Sequence, residues 1–112
     1  RLFVADRDNG RIQIFDQDGN FIDEWDQFGE PSGIFIDVND TIYVADANSD
    51  DPGRESEWSE GVRIGSAKDG VVTTFIEDPD ENGSQEGVAV DMNGVVYTSL
   101  TRDEALRRYD MN

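Results

Sequence analysis

The residue types that could perform chemistry in this 112-residue chain are few, because the sequence contains neither histidine nor cysteine. The lack of histidine removes the commonest general base and metal ligand, and with them any Ser-His-Asp arrangement. The lack of cysteine excludes a disulfide framework, a zinc finger and a cysteine nucleophile. Any chemistry must therefore use carboxylates, tyrosine, arginine, serine or threonine.

Few single residues stand out as candidates. Asp6 and Asp46 each end a Val-Ala-Asp segment, where an aspartate accepts hydrogen bonds from backbone amides of its own turn, so we assign both a structural turn role. Trp58 lies in an acid-rich loop and is a candidate for contact with a ligand or a partner. The acidic residues of that loop lack the spacing of a calcium-binding loop, which favours a solvated loop over a metal site.

The charge balance excludes two classes of partner. Nine Lys and Arg face 26 Asp and Glu, which gives a net charge of −17. A chain of this charge has no groove that neutralises phosphates, so we expect no nucleic-acid binding. It has no basic cluster for an anionic membrane surface and no apolar run long enough to span a bilayer, so we expect no membrane association.

The elements that must position these residues are predicted to be strands. Val and Ile outnumber Leu and Ala, and short apolar runs alternate with turn dipeptides such as Asn-Gly and Asp-Gly. No stretch shows the periodicity of a helix. The sequence therefore predicts an all-β, antiparallel fold with strands near 2–6, 11–15, 20–25, 33–37, 41–46, 62–66, 71–76, 87–91, 95–99 and 105–109.

An internal repeat organises these strands. GIFIDVND at 33–40 recurs as GVAVDMNG at 87–94, and LFVAD at 2–6 recurs as IYVAD at 42–46. One unit is four strands in about 40 residues, the period of a propeller blade. We therefore expect one partial propeller domain, 1–112, divided into an incomplete blade (1–32), a complete blade (33–86) with an insertion at 47–61, and an incomplete blade (87–112).

The repeated segments resemble a known family. GRIQIFDQDGNFIDEW at 10–25, followed by PSGIFIDVNDTIYVAD at 31–46, is similar to NHL repeats. LFVADRDNGRIQIF at 2–15 and GVRIGSAKDGVVTTFI at 61–76 resemble more specifically the peptidylglycine α-amidating lyase branch, including its bacterial relatives. The resemblance implies a six-bladed propeller, of which this chain holds about two and a half blades, and a secreted or periplasmic location. The chain itself shows no signal peptide.

The same resemblance implies a site that this chain holds only in part. In the lyase branch, zinc sits on three histidines in the central cavity, and Tyr and Arg act on a peptidyl-α-hydroxyglycine. Arg7 matches the arginine of that branch that holds substrate, although it can instead pair with the flanking Asp6 and Asp8. Glu86 stands near the place of one histidine, and its carboxylate is a candidate ligand for zinc or calcium. The equivalent position in the preceding repeat is Ser32.

Two functions follow from these expectations. The first is a non-catalytic NHL-type module that binds a peptide, a small molecule or a protein. The alternative is part of a metal-dependent amidating lyase that is active only with the rest of its ring. In both, open blade faces and strand edges require a partner, which is either the missing blades of a longer chain or further copies of this chain in a homo-oligomer.

Overall fold

Three antiparallel sheets make up the chain. The structure is a computed structural model that describes residues 1–47, 59–79, 85–100 and 105–110. The first sheet has the order β1-β2-β3, the middle sheet β4-β5-β6-β7 and the third sheet β10-β9-β8. Their strands are β1 Leu2–Asp6, β2 Arg11–Phe15, β3 Phe21–Trp25, β4 Pro31–Ile36, β5 Thr41–Asp46, β6 Gly61–Ser66, β7 Val72–Glu77, β8 Gln85–Val90, β9 Val96–Leu100 and β10 Ala105–Tyr109.

The all-β, antiparallel class is confirmed, and the ten strands fall in three, four and three as the repeat predicts. Three such sheets do not by themselves make a propeller, so the blade arrangement stays a prediction. The helical element in the described ranges is one 3-10 turn, Arg7–Asn9. No helix in these ranges is long and apolar enough to cross a membrane.

Strands β4 and β8 each begin two residues earlier than the sequence predicts. A bulge at Ser32 lets Pro31 pair with Asp46, and a bulge at Glu86 lets Gln85 pair with Leu100. A bulge inserts one residue without ending the ladder, so pairing continues past the glycine that we expected to start each strand. The two bulges occupy equivalent positions of the repeat, which shows that the repetition extends to backbone geometry.

The core lies on both faces of the middle sheet. Side chains alternate along β5, so Ile42 and Val44 pack with Ile12, Ile14 and Trp25 of the first sheet. Tyr43 points to the other face, where Val62, Ile64 and Val96 form a second cluster against the third sheet. The strands β4 and β8 approach closely, because a Cβ on Gly33 would lie 2.6 Å from the backbone oxygen of Glu86. Only glycine fits at this crossing.

Candidate functional site

Arg7 lies at the start of the 3-10 turn that follows β1. Its side chain is about half exposed, and its Nε is 3.8 Å from the carboxylate of Asp8. Such an exposed pair contributes at most about 1 kcal/mol. Of the two flanking aspartates that the sequence offered as partners, the structure pairs Arg7 with Asp8.

Glu86 is the bulge residue of β8, and its side chain is half-buried. Its neighbour Gln85 is fully buried and accepts hydrogen bonds from the hydroxyls of Thr98 and Tyr109. The described residues provide no hydrogen bond or ion pair between Arg7 and Glu86. The substrate role of Arg7 and the metal role of Glu86 therefore stay predictions.

The two aspartates given a turn role have different surroundings. Asp6 accepts hydrogen bonds from Asn9 Nδ2 at 3.0 Å and from Arg11 Nε at 2.8 Å. These bonds, first that from Asn9 and then that from Arg11, lower the pKa of Asp6. Arg11 also reaches Glu24 on β3. The partners of Asp6 therefore include side chains of its turn and of the next strand, which the sequence pattern did not indicate.

Asp46 belongs to a buried ion pair. Its side chain is fully buried, and its Oδ2 accepts hydrogen bonds from the Glu30 amide at 3.0 Å and from Arg63 Nη1 at 3.2 Å. The guanidinium of Arg63 also donates to the Ser59 carbonyl and lies over the ring of Phe75. Asp46 thus joins β5 to β6 and to the segment between the first and middle sheets.

The segment that crosses this ion pair requires glycine. Gly29 has φ +77°, and a Cβ there would lie 2.4 Å from Asp46 Oδ2 and 2.6 Å from Arg63 Nη1. The backbone therefore lies directly against the two charged groups and excludes bulk solvent from them. This enclosed geometry is that of a structural ion pair, since it leaves no open face for a substrate.

Three turns share one hydrogen-bond pattern. In the turns that begin at Asp16, Asp37 and Asp91, the aspartate Oδ1 accepts from the amides two and four residues later, at 2.8–3.0 Å. The fourth residue of each turn has a positive φ, and it is Gly19, Asp40 or Gly94. These turns close the hairpins β2–β3, β4–β5 and β8–β9.

Two of these turns hold a tyrosine as well. Tyr97 donates to Asp91 Oδ2 at 3.1 Å, and this hydrogen bond raises the pKa of Tyr97. Tyr43 occupies the equivalent position of the preceding repeat, where burial and, next, the charge of Asp37 raise its pKa. The hydrogen bond from the Val95 amide contributes most to the lowered pKa of Asp91. Asp91 is therefore ionised at neutral pH.

A cleft of about 490 Å³ lies between the turns of the middle and third sheets. Its apolar wall contains Phe35, Tyr43 and Val90. The second residue of each turn is also apolar: Val38 is 97% exposed in one turn, and Met92 is 103% exposed in the other. The complete lining is Phe35, Ile36, Asp37, Val38, Asn39, Tyr43, Val90, Asp91, Met92, Asn93 and Gly94, with two acids and no basic residue.

This cleft is the feature that the sequence reasoning missed. The repeat at 33–40 and 87–94 contains all its turn residues, and the equivalence of Val38 with Met92 was visible in the sequence. A hydrophobic residue at a turn tip, found at the same position in both copies, was the available signal. The packing of β8 beside β4, which places the two turns together, was not visible.

The described residues do not support two of the sequence predictions, the contact role of Trp58 and a metal site. Trp58 and most of the insertion 47–61 lie outside the described residues. Within the described ranges, no group of three or more acidic side chains is placed to hold a metal ion.

Comparison with known proteins adds no assignment. The chain matches no protein-family model and no curated protein. The resemblance to NHL repeats stays a prediction that rests on the residues quoted above.

Proposed function

We propose that this chain is an NHL-type β-propeller module that acts by binding a ligand or a protein partner, and that further sheets cover its two outer faces. Those sheets belong either to the missing blades of a longer chain or to further copies of this chain. Catalysis is not part of this function.

The observation that carries the proposal is the outer face of the first sheet. Leu2 pairs with Phe15, and Phe15 pairs with Phe21, so these three side chains form one row across β1, β2 and β3. Leu2 is 51% exposed and Phe21 is 57% exposed. Val4 extends the row along β1 and is 45% exposed. A contiguous apolar row of this kind is typical of an interaction surface.

The outer face of the third sheet supports the same conclusion. Tyr97 is the repeat equivalent of Tyr43, which the third sheet covers, yet Tyr97 faces outward. Leu106, on the same outer face, pairs with Ser99 and is 75% exposed. The third sheet therefore presents to solvent the face that the middle sheet buries, as expected if another sheet covers it.

Two opposing forces act on such association. Burial of apolar surface contributes roughly 25 cal/mol per Å², and stable interfaces bury about 800 Å² per partner. The net charge of −17 repels like chains, but salt screens it beyond about 10 Å at 0.1 M. We therefore expect association at moderate salt and weaker association as salt is removed.

Sedimentation velocity or light scattering across a salt series tests the proposal. The wild-type chain should exceed its monomer mass of 12.5 kDa at moderate salt. The double variant Leu2→Ser/Phe21→Ser should shift the mass towards the monomer. The control Val38→Ser/Met92→Ser removes two apolar groups that are more exposed but lie on turns outside this row, and it should associate as wild type does. A folded wild-type monomer at every salt and protein concentration would contradict the proposal.

The lyase-like alternative rests on the half-buried carboxylate of Glu86 at the bulge of β8. Metal analysis after purification separates it from the binding module, because only the alternative requires stoichiometric zinc or calcium. Loss of that metal in Glu86→Gln, with retention in Glu77→Gln, would favour the lyase over our proposal.

A further inference from the structure

We infer that the cleft between the β4–β5 and β8–β9 turns binds a peptide segment that combines a basic side chain with flanking apolar side chains. This inference deepens the proposed binding function and rests on it for the view that the chain is a binding module. It requires neither a closed ring nor a metal.

The charge of the cleft indicates a cationic occupant. Asp37 and Asp91 stand on its two walls, and none of its lining residues is basic. The lowered pKa of Asp91 keeps that carboxylate ionised at neutral pH. The positive charge of Arg108 on β10 also acts on Asp91, but Arg108 is not among the lining residues and pairs with Asp110. The two carboxylates therefore attract the charge of an arginine or lysine side chain, whereas they repel an acidic group.

The shape of the cleft indicates an apolar contribution from the same occupant. Its volume of about 490 Å³ is within the range of roughly 300 to 1,000 Å³ typical of ligand sites. Phe35 and Tyr43 pair across β4 and β5, with ring centroids 6.2 Å apart, and supply an aromatic wall. Such a wall accepts an aliphatic side chain or the stem of an arginine.

The turns themselves do not require apolar residues at their tips. The third turn of the same pattern begins at Asp16, away from the cleft, and has Gln17 at the position of Val38 and Met92. The pattern needs the aspartate and the residue with positive φ, not an apolar second residue. Hydrophobic tips thus occur at the two turns that line the cleft, and water surrounds both almost completely. A partner that covers them explains this selective placement.

The occupant is a peptide rather than a nucleic acid or a membrane, because a net charge of −17 repels phosphate groups. The probes are three blocked pentapeptides: Gly-Leu-Arg-Leu-Gly, its Glu analogue Gly-Leu-Glu-Leu-Gly, and its polar analogue Gly-Ser-Arg-Ser-Gly. They are titrated into the ¹⁵N-labelled Leu2→Ser/Phe21→Ser chain, so that self-association does not affect the result. We expect the first peptide alone to bind, with the amide shifts concentrated at residues 36–41 and 90–95.

Charge-removing variants provide the decisive comparison. Asp37→Asn/Asp91→Asn keeps an oxygen that accepts the turn amides and removes both charges, and it should weaken binding of the arginine peptide about tenfold or more. Asp16→Asn makes the same change in the third turn and should leave the affinity unchanged. Val38→Ser/Met92→Ser should also weaken binding, whereas Val71→Ser, which removes an exposed apolar side chain outside the cleft, should not.

Several results would overturn the inference. They are no binding of the arginine peptide, equal binding of the glutamate peptide, shifts centred outside the two turns, or equal weakening by Asp16→Asn. The proposed function fails separately, through a wild-type monomer at every salt. Peptide binding by such a monomer would support the cleft and contradict assembly, whereas assembly without peptide binding would do the opposite.

Discussion

Replacement of Arg63 by methionine should strongly destabilise the folded state of this domain. The change leaves the Asp46 carboxylate buried, since that side chain is fully shielded and its partner Arg63 is 6% exposed. The Glu30 amide still donates to Asp46, but the positive charge of Arg63 no longer lies beside the buried carboxylate. Loss of one partner of a buried ion pair costs about 3–5 kcal/mol. The contact of Arg63 with Phe75 and its bond to the Ser59 carbonyl are lost as well.

Urea unfolding, followed by the fluorescence of the buried Trp25, measures this cost. With a urea dependence of about 2 kcal/mol per M, the midpoint should fall by roughly 2 M. Protein concentration must be held fixed, because association stabilises the folded chain. The matched control is Arg108→Met, which removes another strand arginine whose pair with Asp110 is about 60% exposed on both sides. That control should lose less than about 1 kcal/mol.

The double variant Arg63→Met/Asp46→Asn tests the electrostatic part of the reasoning. If the cost comes from the loss of the Arg63 charge beside a buried carboxylate, removal of the carboxylate charge should restore part of the stability, so the double variant should be more stable than Arg63→Met. Equal midpoints for Arg63→Met and Arg108→Met would refute the claim of a stabilising buried pair. Fully additive losses in the double variant would refute the electrostatic cause.

Three further predictions concern the turns. The pKa values of Asp16 and Asp91 are lowered in the folded chain, so their contribution to stability is present above pH about 4 and is lost as the pH falls through their folded pKa values. Thermal melts should therefore show destabilisation in acid, and Asp16→Asn should reduce it. Because the pKa of Tyr97 is raised, its phenol should ionise above pH about 10, and Asp91→Asn should bring that ultraviolet titration closer to the ordinary value. Asp40 has φ +61°, a conformation that glycine adopts without steric cost, so Asp40→Gly should raise the free energy of unfolding in urea by up to about 1 kcal/mol. Asp37→Gly removes the carboxylate that accepts the turn amides and should lower the free energy of unfolding.

The strands were predictable because their signals are local. The alternation of apolar residues between turns such as Asp-Gly and Asn-Gly predicted all ten strands to within two residues. The spacing of the repeat predicted their division into three sheets. The starts of β4 and β8 were wrong by two residues because a bulge at Ser32 or Glu86 has no local signature. Glycines at 33 and 87 looked like strand starts, whereas Gly33 marks a close backbone crossing.

The site residues were less predictable, because their roles depend on long-range partners. Asp6 and Asp46 end equivalent Val-Ala-Asp segments and received one role from the sequence, yet Asp6 bonds exposed side chains and Asp46 is buried against Arg63. The difference comes from the strand that pairs with each aspartate, β2 for Asp6 and β6 for Asp46. Gly61 of β6 lies opposite Asp46 and Arg63 of the same strand reaches it, whereas Arg11 of β2 lies directly opposite Asp6 and bonds to it. No property of the repeated segment itself distinguishes the two aspartates.

The tyrosines of the repeat show how one sequence motif supplies both core and surface. Tyr43 and Tyr97 both lie six residues after a turn aspartate, and both have a raised pKa that the aspartate contributes to. Tyr43 nevertheless belongs to the core because the third sheet covers it, whereas Tyr97, on the outer face of the third sheet, is only partly buried. Since the motif is the same, the difference in burial comes from whether a neighbouring sheet packs over the tyrosine and not from the chemistry of the residue. A sheet packed on the outer face of β8–β10 would therefore bury Tyr97 as the third sheet buries Tyr43.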